Sequence, residues 1–519
     1  MANKSVFATI AGKLLPKTDS VNHEGALAYA LTPHQALAQL AATGTFNATF
    51  YAEPREQLDE VLKLVWQVEP EFVAKAAIHA YERGLMKDMP ALLLAALSMM
   101  PGPEFSRAFP RIVRNGKMLR NFVQLMRSGV TGRKSLGSRP KRLVQGWLEQ
   151  ADDIEIMRAA VGNDPSLADI IKMVHPKPAS ASREALYGYL IGKPYDVLAL
   201  PEVVKAFEAF KRDPSLPVPP VPFQMLTAMP LSKAHWVEIA DKAGWQMLRQ
   251  NLNTFARHGV FEVEGFTERL AGRLADAAEI RRARVFPYQL MVAFTMADSS
   301  VPTAVKNALQ DAMEIALANV PEIEGNVVVC PDVSGSMCSP VTGYRRGATT
   351  TVRCVDVAAL VAAALLRANR TARVLPFEHD VVGVDLNPRD TVMTNAAKLA
   401  AIGGGGTNCS APLQKLAAEK AKVDLVVFVS DNESWVDGVP HRHHGTATMQ
   451  AWNRIKVLNP AAKLVCIDIQ PSTTTQAKGQ ADILNVGGFS DQVFTLIAAM
   501  AKSGRDRDHW VKAIDAIEL

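Results

Sequence analysis

From Thr32 to about Asn319 the sequence repeats one pattern, in which a proline-containing turn precedes apolar positions at helical spacing. Proline is tolerated in the first turn of a helix, and a preceding Thr, Asp or Ser can cap the free amides. Seven such starts occur, at Thr32-Pro33, Glu69-Pro70, Asp88-Met89-Pro90, Ser138-Arg139-Pro140, Asp164-Pro165, Leu200-Pro201 and Val301-Pro302. This succession of short helices predicts stacked helical hairpins.

The repeat has no strict period, which favours a HEAT-like α-solenoid over a consensus array. An irregular multi-helix bundle is the alternative. The length of the helical region favours the solenoid, because stacked helix pairs do not require one oversized hydrophobic core.

After Glu324-Gly325 the pattern changes to short, nearly continuous apolar runs, which are typical of parallel strands covered on both faces. The runs are Asn326–Cys330, Ala372–Phe377, Asp424–Val429 and Lys463–Asp468. Helical patterns lie between or after them, at Val355–Asn369, Ala411–Ala421, Met449–Val457 and Phe489–Lys502. We therefore predict an all-α repeat domain over residues 1–324 and a doubly wound α/β domain over residues 325–519.

The chain has 519 residues, of which 48% are hydrophobic and 21% charged, as expected for a soluble protein of two or three domains. No apolar run is long enough for a membrane helix, and the N-terminus lacks a secretory signal, so we expect a cytoplasmic protein without membrane association. The five cysteines form no C-x-x-C pair and are interpreted as reduced thiols.

Polar side chains follow the predicted strands in three places: Asp332-Val-Ser334-Gly-Ser336, Gly403–Thr407 and Ser430-Asp431. In open α/β sheets, ligands bind at the carboxyl ends of the strands. The sequence thus predicts a metal site with oxygen ligands from Asp332, Ser334, Ser336, Thr407 and Asp431. Such hard ligands suit a divalent cation, most naturally Mg²⁺. This ligand set would leave one coordination position open for an acidic group of a partner protein.

Two enzyme interpretations compete for Asp332. A haloacid-dehalogenase-type phosphatase would carry a second acid where Ser334 stands, and a serine hydrolase would need a G-x-S-x-G turn and a placed histidine. Because neither pattern is complete, we predict a protein without catalytic activity. The His441-Arg-His443-His444 cluster matches no standard metal-ligand spacing and is interpreted as an exposed polar loop.

The charge of the whole chain is only +5, but its distribution is uneven. Between Glu104 and Glu149 there is no acidic residue and there are eleven basic ones: Arg107, Arg111, Arg114, Lys117, Arg120, Arg127, Arg133, Lys134, Arg139, Lys141 and Arg142. A solvated helix face is the alternative explanation, but surface helices normally mix charges of both signs. We refer to these eleven residues as the basic segment and predict that it binds RNA or DNA.

The metal motif resembles the metal-ion-dependent adhesion site of von Willebrand A domains. Together with the helical region, the whole constellation resembles a bacterial form of the Ro autoantigen (TROVE-domain) family over nearly the entire chain. The segments that carry this resemblance are Arg127-Ser128-Gly129, Gly132-Arg133, Met173–Pro178, Leu226–Leu231, Asp332–Met337 and Ser430–Glu433.

The resemblance implies a ring of HEAT-like repeats closed by the von Willebrand A-like domain. Such proteins bind small noncoding Y RNAs on the outer surface and admit single-stranded 3′ ends of misfolded noncoding RNAs to the central hole. In bacteria they act with exoribonucleases in RNA quality control, processing and stress response. The resemblance also implies RNA contacts for His175 and Lys177 and for Arg158, whereas the next expected basic position falls near Gly162.

Another functional class remains open, in which the chain is a cytosolic von Willebrand A adaptor of a ring ATPase. Such an adaptor would use its metal to dock an acidic partner and would have no RNA role. The basic segment discriminates between the two, since an adaptor has no evident need for it. A metal-dependent hydrolase is a third possibility and would require turnover that depends on Asp332.

Overall fold

The computed structural model describes residues 15–43, 47, 49, 51–283, 285, 287–317, 320–344, 352–436, 445–470, 472–489, 492–503 and 508–519. These residues form two compact units. One contains the chain up to Val68, Ala275–Met296 and Asn307–Glu518, and the other contains Glu69–Leu274 and Ala297–Lys306. The histidine cluster at residues 441–444 lies outside the described residues.

Helices dominate the chain as far as residue 316. They are α1 (Pro33–Thr43), α2 (Pro54–Val65), α3 (Pro70–Glu82), α4 (Asp88–Leu97), α5 (Glu104–Ile112), α6 (Gly116–Ser128), α7 (Ser138–Gln150), α8 (Asp153–Ala159), α9 (Leu167–Val174), α10 (Ala181–Ile191), α11 (Glu202–Arg212), α12 (Lys233–Lys242), α13 (Trp245–Gln250), α14 (Leu252–Arg257), α15 (Phe266–Leu274), α16 (Ala277–Ala283), α17 (Pro287–Thr295) and α18 (Thr303–Ala316).

Each of the seven predicted starts lies at the beginning of one of these helices. Pro33 and Pro70 are the first residues of α1 and α3, where the missing proline N–H costs nothing. After Asp164-Pro165 the helix begins two residues late, because Ser166 takes the cap position and accepts a hydrogen bond from the Asp169 N–H. The proline signal therefore locates these helices to within a turn.

The helices of the second unit pack against their next and next-but-one neighbours along the chain. Helix α3 contacts α4 and α5, and α4 also contacts α6. Between α5 and α6 the rings of Phe105, Phe109 and Phe122 lie 5.4–6.0 Å apart in one buried cluster. This layering of successive helices is the packing expected of a helical repeat, and it confirms the predicted fold class.

The C-terminal half is built on a parallel sheet of five strands: β3 (Val327–Pro331), β4 (Arg373–Val374), β5 (Leu425–Ser430), β6 (Lys463–Asp468) and β8 (Ile483–Gly487). Their order in the sheet is β4-β3-β5-β6-β8. The helices of this half are α19 (Cys354–Ala368), α20 (Val392–Ala400), α21 (Ala411–Ala418), α22 (Ala447–Leu458), α23 (Gln492–Ser503) and α24 (His509–Asp515). The doubly wound α/β fold is thus confirmed.

Two strands differ from the prediction. Strand β4 ends at Val374, earlier than the predicted Phe377, although the Leu375 and Phe377 N–H groups still donate to the Val329 and Pro331 carbonyls at 2.8 and 3.1 Å. Strand β8 was not predicted, since Asn485 interrupts its apolar run. The Asn485 side-chain amide donates to the Ala477 carbonyl at 2.8 Å, which explains how this polar residue is accommodated.

The N-terminal segment packs with the C-terminal half, so the compact units differ from the domain boundary expected at residues 324 and 325. Strands β1 (Ser20–Val21) and β2 (Leu27–Ala30) form an antiparallel sheet with β7 (Thr474–Thr475). The Gln39 amide donates to Asp468 Oδ2 at 2.9 Å, and helix α1 contacts β8 and α24. These long-range pairings could not be read from local sequence patterns.

None of the described helices is both long and apolar enough to span a bilayer. The five cysteines are free thiols; Cys338 is exposed and the other four are buried.

Two helical glycines give opposite predictions for alanine substitution. A Cβ on Gly116 would overlap the backbone and side chain of Ala159, whereas nothing lies within 4 Å of the corresponding position on Gly146. We expect Gly116→Ala to destabilise the fold by about 1–3 kcal/mol through overpacking. Gly146→Ala should instead stabilise it by about 0.5–1 kcal/mol. Urea unfolding of the two variants measures the difference, and equal midpoints would contradict the close α6–α8 approach.

Candidate metal centre

The predicted ligands lie at the point in the sheet where the order of the strands changes direction. Strand β3 lies between β4 and β5, so the chain winds to one side of it and then to the other. Such a switch point opens a crevice at the carboxyl ends of the central strands. Asp332 directly follows β3 and Asp431 directly follows β5, and both carboxyl groups are buried there.

The turn after β3 is fixed by its own hydrogen bonds. Asp332 Oδ1 accepts from the Ser334 N–H at 2.9 Å, and the Ser334 and Ser336 hydroxyls lie 3.3 Å apart. Asp332 Oδ2 accepts from the Ser430 hydroxyl at 2.6 Å, which ties the ends of β3 and β5 together. The three predicted ligands of this turn therefore face the same pocket.

The glycine-rich loop places Thr407 beside this turn. The Gly335 N–H donates to the Gly405 carbonyl at 2.9 Å, and a Cβ on Gly404 would overlap the Val333 carbonyl. Glycine is required for this close approach. Thr407 is buried, and its carbonyl accepts a hydrogen bond from the backbone N–H of Trp435 at 3.2 Å. The sequence prediction that these loops converge is thus met by the structure.

The electrostatics of the site favour a bound cation. Burial raises the pKa of Asp332, and burial followed by the charge of Asp332 raises the pKa of Asp431 to about 7. The groups that lower these pKa values are hydroxyls and backbone N–H groups. Two buried carboxyl groups side by side need a positive charge to ionise together, and hydroxyl and carboxylate oxygens are the donors that Mg²⁺ and similar ions prefer. The donor set therefore fits a hard divalent cation.

Several further residues support the site, and the sequence prediction missed them. Ser430 holds Asp332, as described above. Glu433 accepts from the His23 N–H at 2.9 Å and from the Ser472 hydroxyl at 3.1 Å, and burial raises its pKa to about 8. The Tyr51 hydroxyl lies 3.5 Å from Asp431 Oδ2. Ser430 could have been suspected from the Ser-Asp pair, but Tyr51 and His23 carry no signal in the sequence.

The basic segment divides into residues that hold the fold and residues that do not. Arg111 makes a paired contact with Glu82 at 2.8–3.0 Å, and Arg114 lies 3.5 Å from the same carboxylate. The acidic partner precedes the segment, so the expectation of unpaired arginines was wrong at these two positions. Arg120 donates to the Val161 carbonyl, and Arg139 donates to three carbonyls between Ser98 and Gly102 at 2.9–3.0 Å.

Most of the other predicted RNA-binding residues remain available. The side chains of eight lysines and arginines make no hydrogen bond or ion pair with any residue that the structure describes: Arg107, Arg127, Arg133, Lys134, Lys141, Arg142, Arg158 and Lys177. We call these eight the unpaired basic residues. Lys117 is exposed and has a partner, and the exposed His175 ends helix α9 with a positive φ of 51°. Arg158 borders a cleft of about 650 Å³ that is lined mainly by Val218–Leu226 and residues near Gln250.

Within the described ranges, no group of three or more His, Cys, Asp or Glu residues has the geometry of a metal site. The candidate centre is of a different kind, because three of its five predicted ligands are hydroxyls.

Comparison with known proteins agrees with this architecture. Residues 326–501 match the family model of the Ro60 vWA domain. The chain is 26% identical to the RNA-binding protein RO60 of Deinococcus radiodurans, over 93% of this chain and 95% of that protein. The fold resembles the crystal structure of the Deinococcus radiodurans RO (RSR) protein, with a TM-score of 0.62 and 24% identity over 91% of this chain and 100% of the other.

The domain match and the full-length relative agree with the order of the two folds along the sequence. The C-terminal half therefore carries a Ro60 vWA domain, and the chain is similar to the Ro protein of Deinococcus radiodurans over nearly its whole length.

Proposed function

We propose that the protein binds noncoding RNA, namely small Y RNAs and misfolded or structured RNAs with single-stranded 3′ ends. The observation that carries this proposal is the set of unpaired basic residues, because cationic side chains without protein partners are free to neutralise phosphates. The name of the Deinococcus relative, an RNA-binding protein, supports the same conclusion.

Recognition on this proposal rests on backbone and shape. Lysine and arginine contacts to phosphates set affinity and orientation, and A-form duplexes present their backbone and 2′-hydroxyls. A single-stranded 3′ end has unstacked bases and can follow a narrower path than a duplex. The protein would itself be non-catalytic, would present such RNAs to an exoribonuclease during stress, and would act in the cytoplasm.

We further propose that Asp332, Ser334, Ser336, Thr407 and Asp431 hold Mg²⁺. The ion would supply the positive charge that two buried carboxylates need, and it would stabilise the junction between β3 and β5. The metal centre would serve as a point for docking an acidic partner protein.

Direct binding tests the RNA proposal against the adaptor alternative. Fluorescence anisotropy at low salt would compare a labelled RNA hairpin that has a single-stranded 3′ tail with the same hairpin without the tail. We expect binding to both RNAs and tighter binding to the tailed one. If neither RNA binds, the RNA proposal fails and an adaptor that docks an acidic partner becomes the better description.

Replacing two of the unpaired basic residues should weaken RNA binding and reduce the dependence of that binding on salt. Lys134→Ala combined with Arg142→Ala should reduce the slope of log K against log salt by about 0.7–0.9 for each lost phosphate contact. The matched control is Lys205→Ala with Lys211→Ala, which removes the same charge from residues already paired with Glu202 and Glu208. Equal salt slopes for the two double variants would contradict a role for the basic segment.

The metal proposal predicts that Asp332→Ala abolishes Mg²⁺ binding, because the substitution removes a buried ligand and leaves Asp431 without a shared cation. Isothermal titration calorimetry on the full chain measures this directly. Asp390→Ala is the control, since this carboxylate is ion-paired with Lys398 outside the site. Mg²⁺ binding that survives Asp332→Ala would exclude the assigned ligand set.

Proton competition gives a second prediction for the metal. In the metal-free folded state Asp431 keeps its proton up to about pH 7, whereas its ordinary pKa is 3.8. Between these two pKa values the folded state binds more protons at Asp431 than the unfolded state does. The contribution of Asp431 therefore lowers the free energy of unfolding as pH rises from about 4 to 7. Mg²⁺ requires the carboxylate, so it should raise the melting temperature more at about pH 8 than at about pH 5.5. Asp431→Asn should remove this difference. Equal Mg²⁺ effects on the melting temperature of the wild type at both pH values would contradict the prediction.

A further inference from the structure

One aromatic residue reaches the metal centre from outside the α/β domain. The Tyr51 hydroxyl lies 3.5 Å from Asp431 Oδ2, and the Ser336 hydroxyl is within hydrogen-bonding reach of both groups. Asp431 and Ser336 are two of the five proposed ligands. A phenol oxygen that contacts two ligands of one ion lies close to the ion itself.

The position of Tyr51 is set by surrounding contacts. Its ring stacks on His23 with centroids 5.6 Å apart and planes inclined by 22°. His23 is itself anchored, because its N–H donates to Glu433 Oε2 at 2.9 Å. The neighbouring turn is closed by the Thr49 N–H, which donates to the Ala52 carbonyl at 2.9 Å. These contacts hold the hydroxyl towards the metal centre.

The segments before and after Tyr51 in the sequence are also held by hydrogen bonds. The Gln57 amide donates to the Asn47 carbonyl at 2.9 Å, and the Asn47 amide donates to the Thr342 carbonyl at 2.8 Å. Thr342 follows the ligand turn Asp332–Ser336 along the chain. Asn47 is therefore bonded directly to the α/β domain that carries the ligands, and Gln57 is linked to that domain through Asn47.

We infer that the Tyr51 hydroxyl is a further ligand of the metal centre and takes the coordination position that a partner's carboxylate would otherwise fill. This inference rests on the proposed Mg²⁺ site. Mg²⁺ requires six oxygen donors in a near-octahedral arrangement, and side chains that supply fewer leave the rest to water or to an incoming group. The position expected to be open is thus supplied from within the chain.

A neutral phenol is a weaker donor to a hard cation than a carboxylate. An acidic partner can therefore bind the ion only by displacing Tyr51 from it. The metal centre is closed to acidic groups in the conformation described and is opened by movement of this one side chain.

The number of water molecules on the bound ion tests the inference. Mn²⁺ would replace Mg²⁺ in the full-length protein, and water-proton relaxation would report the exchangeable waters on the ion. Tyr51→Phe keeps the ring that stacks on His23 and removes only the hydroxyl. We expect it to add about one water to the bound Mn²⁺, because solvent takes the vacated position.

The matched control is Tyr189→Phe, which also removes a phenol bonded to a carboxylate, in this case Glu208 at 2.5 Å, in the other compact unit. It should leave the water count unchanged. Thermal melting of Tyr51→Phe verifies that the variant is folded.

Two outcomes overturn the inference and are distinguishable. If Tyr51→Phe and the wild type hold the same number of waters while Asp332→Ala loses Mn²⁺, the metal site stands and Tyr51 is not its ligand. If the wild type binds no Mn²⁺, or Asp332→Ala binds it as tightly as the wild type, the proposed metal site fails and the inference fails with it.

Discussion

Two buried carboxyl groups of like charge, Asp332 and Asp431, impose the main constraint on the C-terminal half. They follow adjacent parallel strands, and the sheet therefore delivers them to the same crevice. Coulomb repulsion and desolvation oppose ionisation of both, and they can be offset only by protons or by a cation. Ser334 and Ser430 offset part of this cost, since the Ser334 N–H and the Ser430 hydroxyl both donate to the Asp332 carboxyl group.

The same crevice explains why the N-terminal segment packs on the α/β domain. Gln39 reaches Asp468, and His23 reaches Glu433, so each of these additional buried carboxyl groups accepts a hydrogen bond from the segment. Burying them without such donors would be costly. The acidic end of the sheet thus depends on residues at the opposite end of the chain.

Local patterns were sufficient for much of this structure. Proline starts located seven of the helices, apolar runs located four strands, and the strand-end rule brought the proposed metal ligands to one end of the sheet, because each depends on residues close together in sequence. The failures involve distant partners. Glu82 pairs with Arg111 and Arg114 from outside the basic segment, and Tyr51 approaches Asp431 from far along the chain. Strand β8 escaped because a polar Asn485 is satisfied by Ala477, a contact that no periodicity encodes.

The small antiparallel sheet also has a consequence for biosynthesis. Strands β1 and β2 are synthesised before any of the α/β domain, whereas β7, which pairs with β2, is synthesised within that domain. The hydrogen bond from Asn22 to the Ser434 carbonyl spans 412 positions. Contacts of such long sequence separation form late, and unpaired strand edges exposed in the meantime are prone to aggregate. The edge of β2 that meets β7 must therefore remain unpaired, and in need of protection, until the α/β domain has been synthesised.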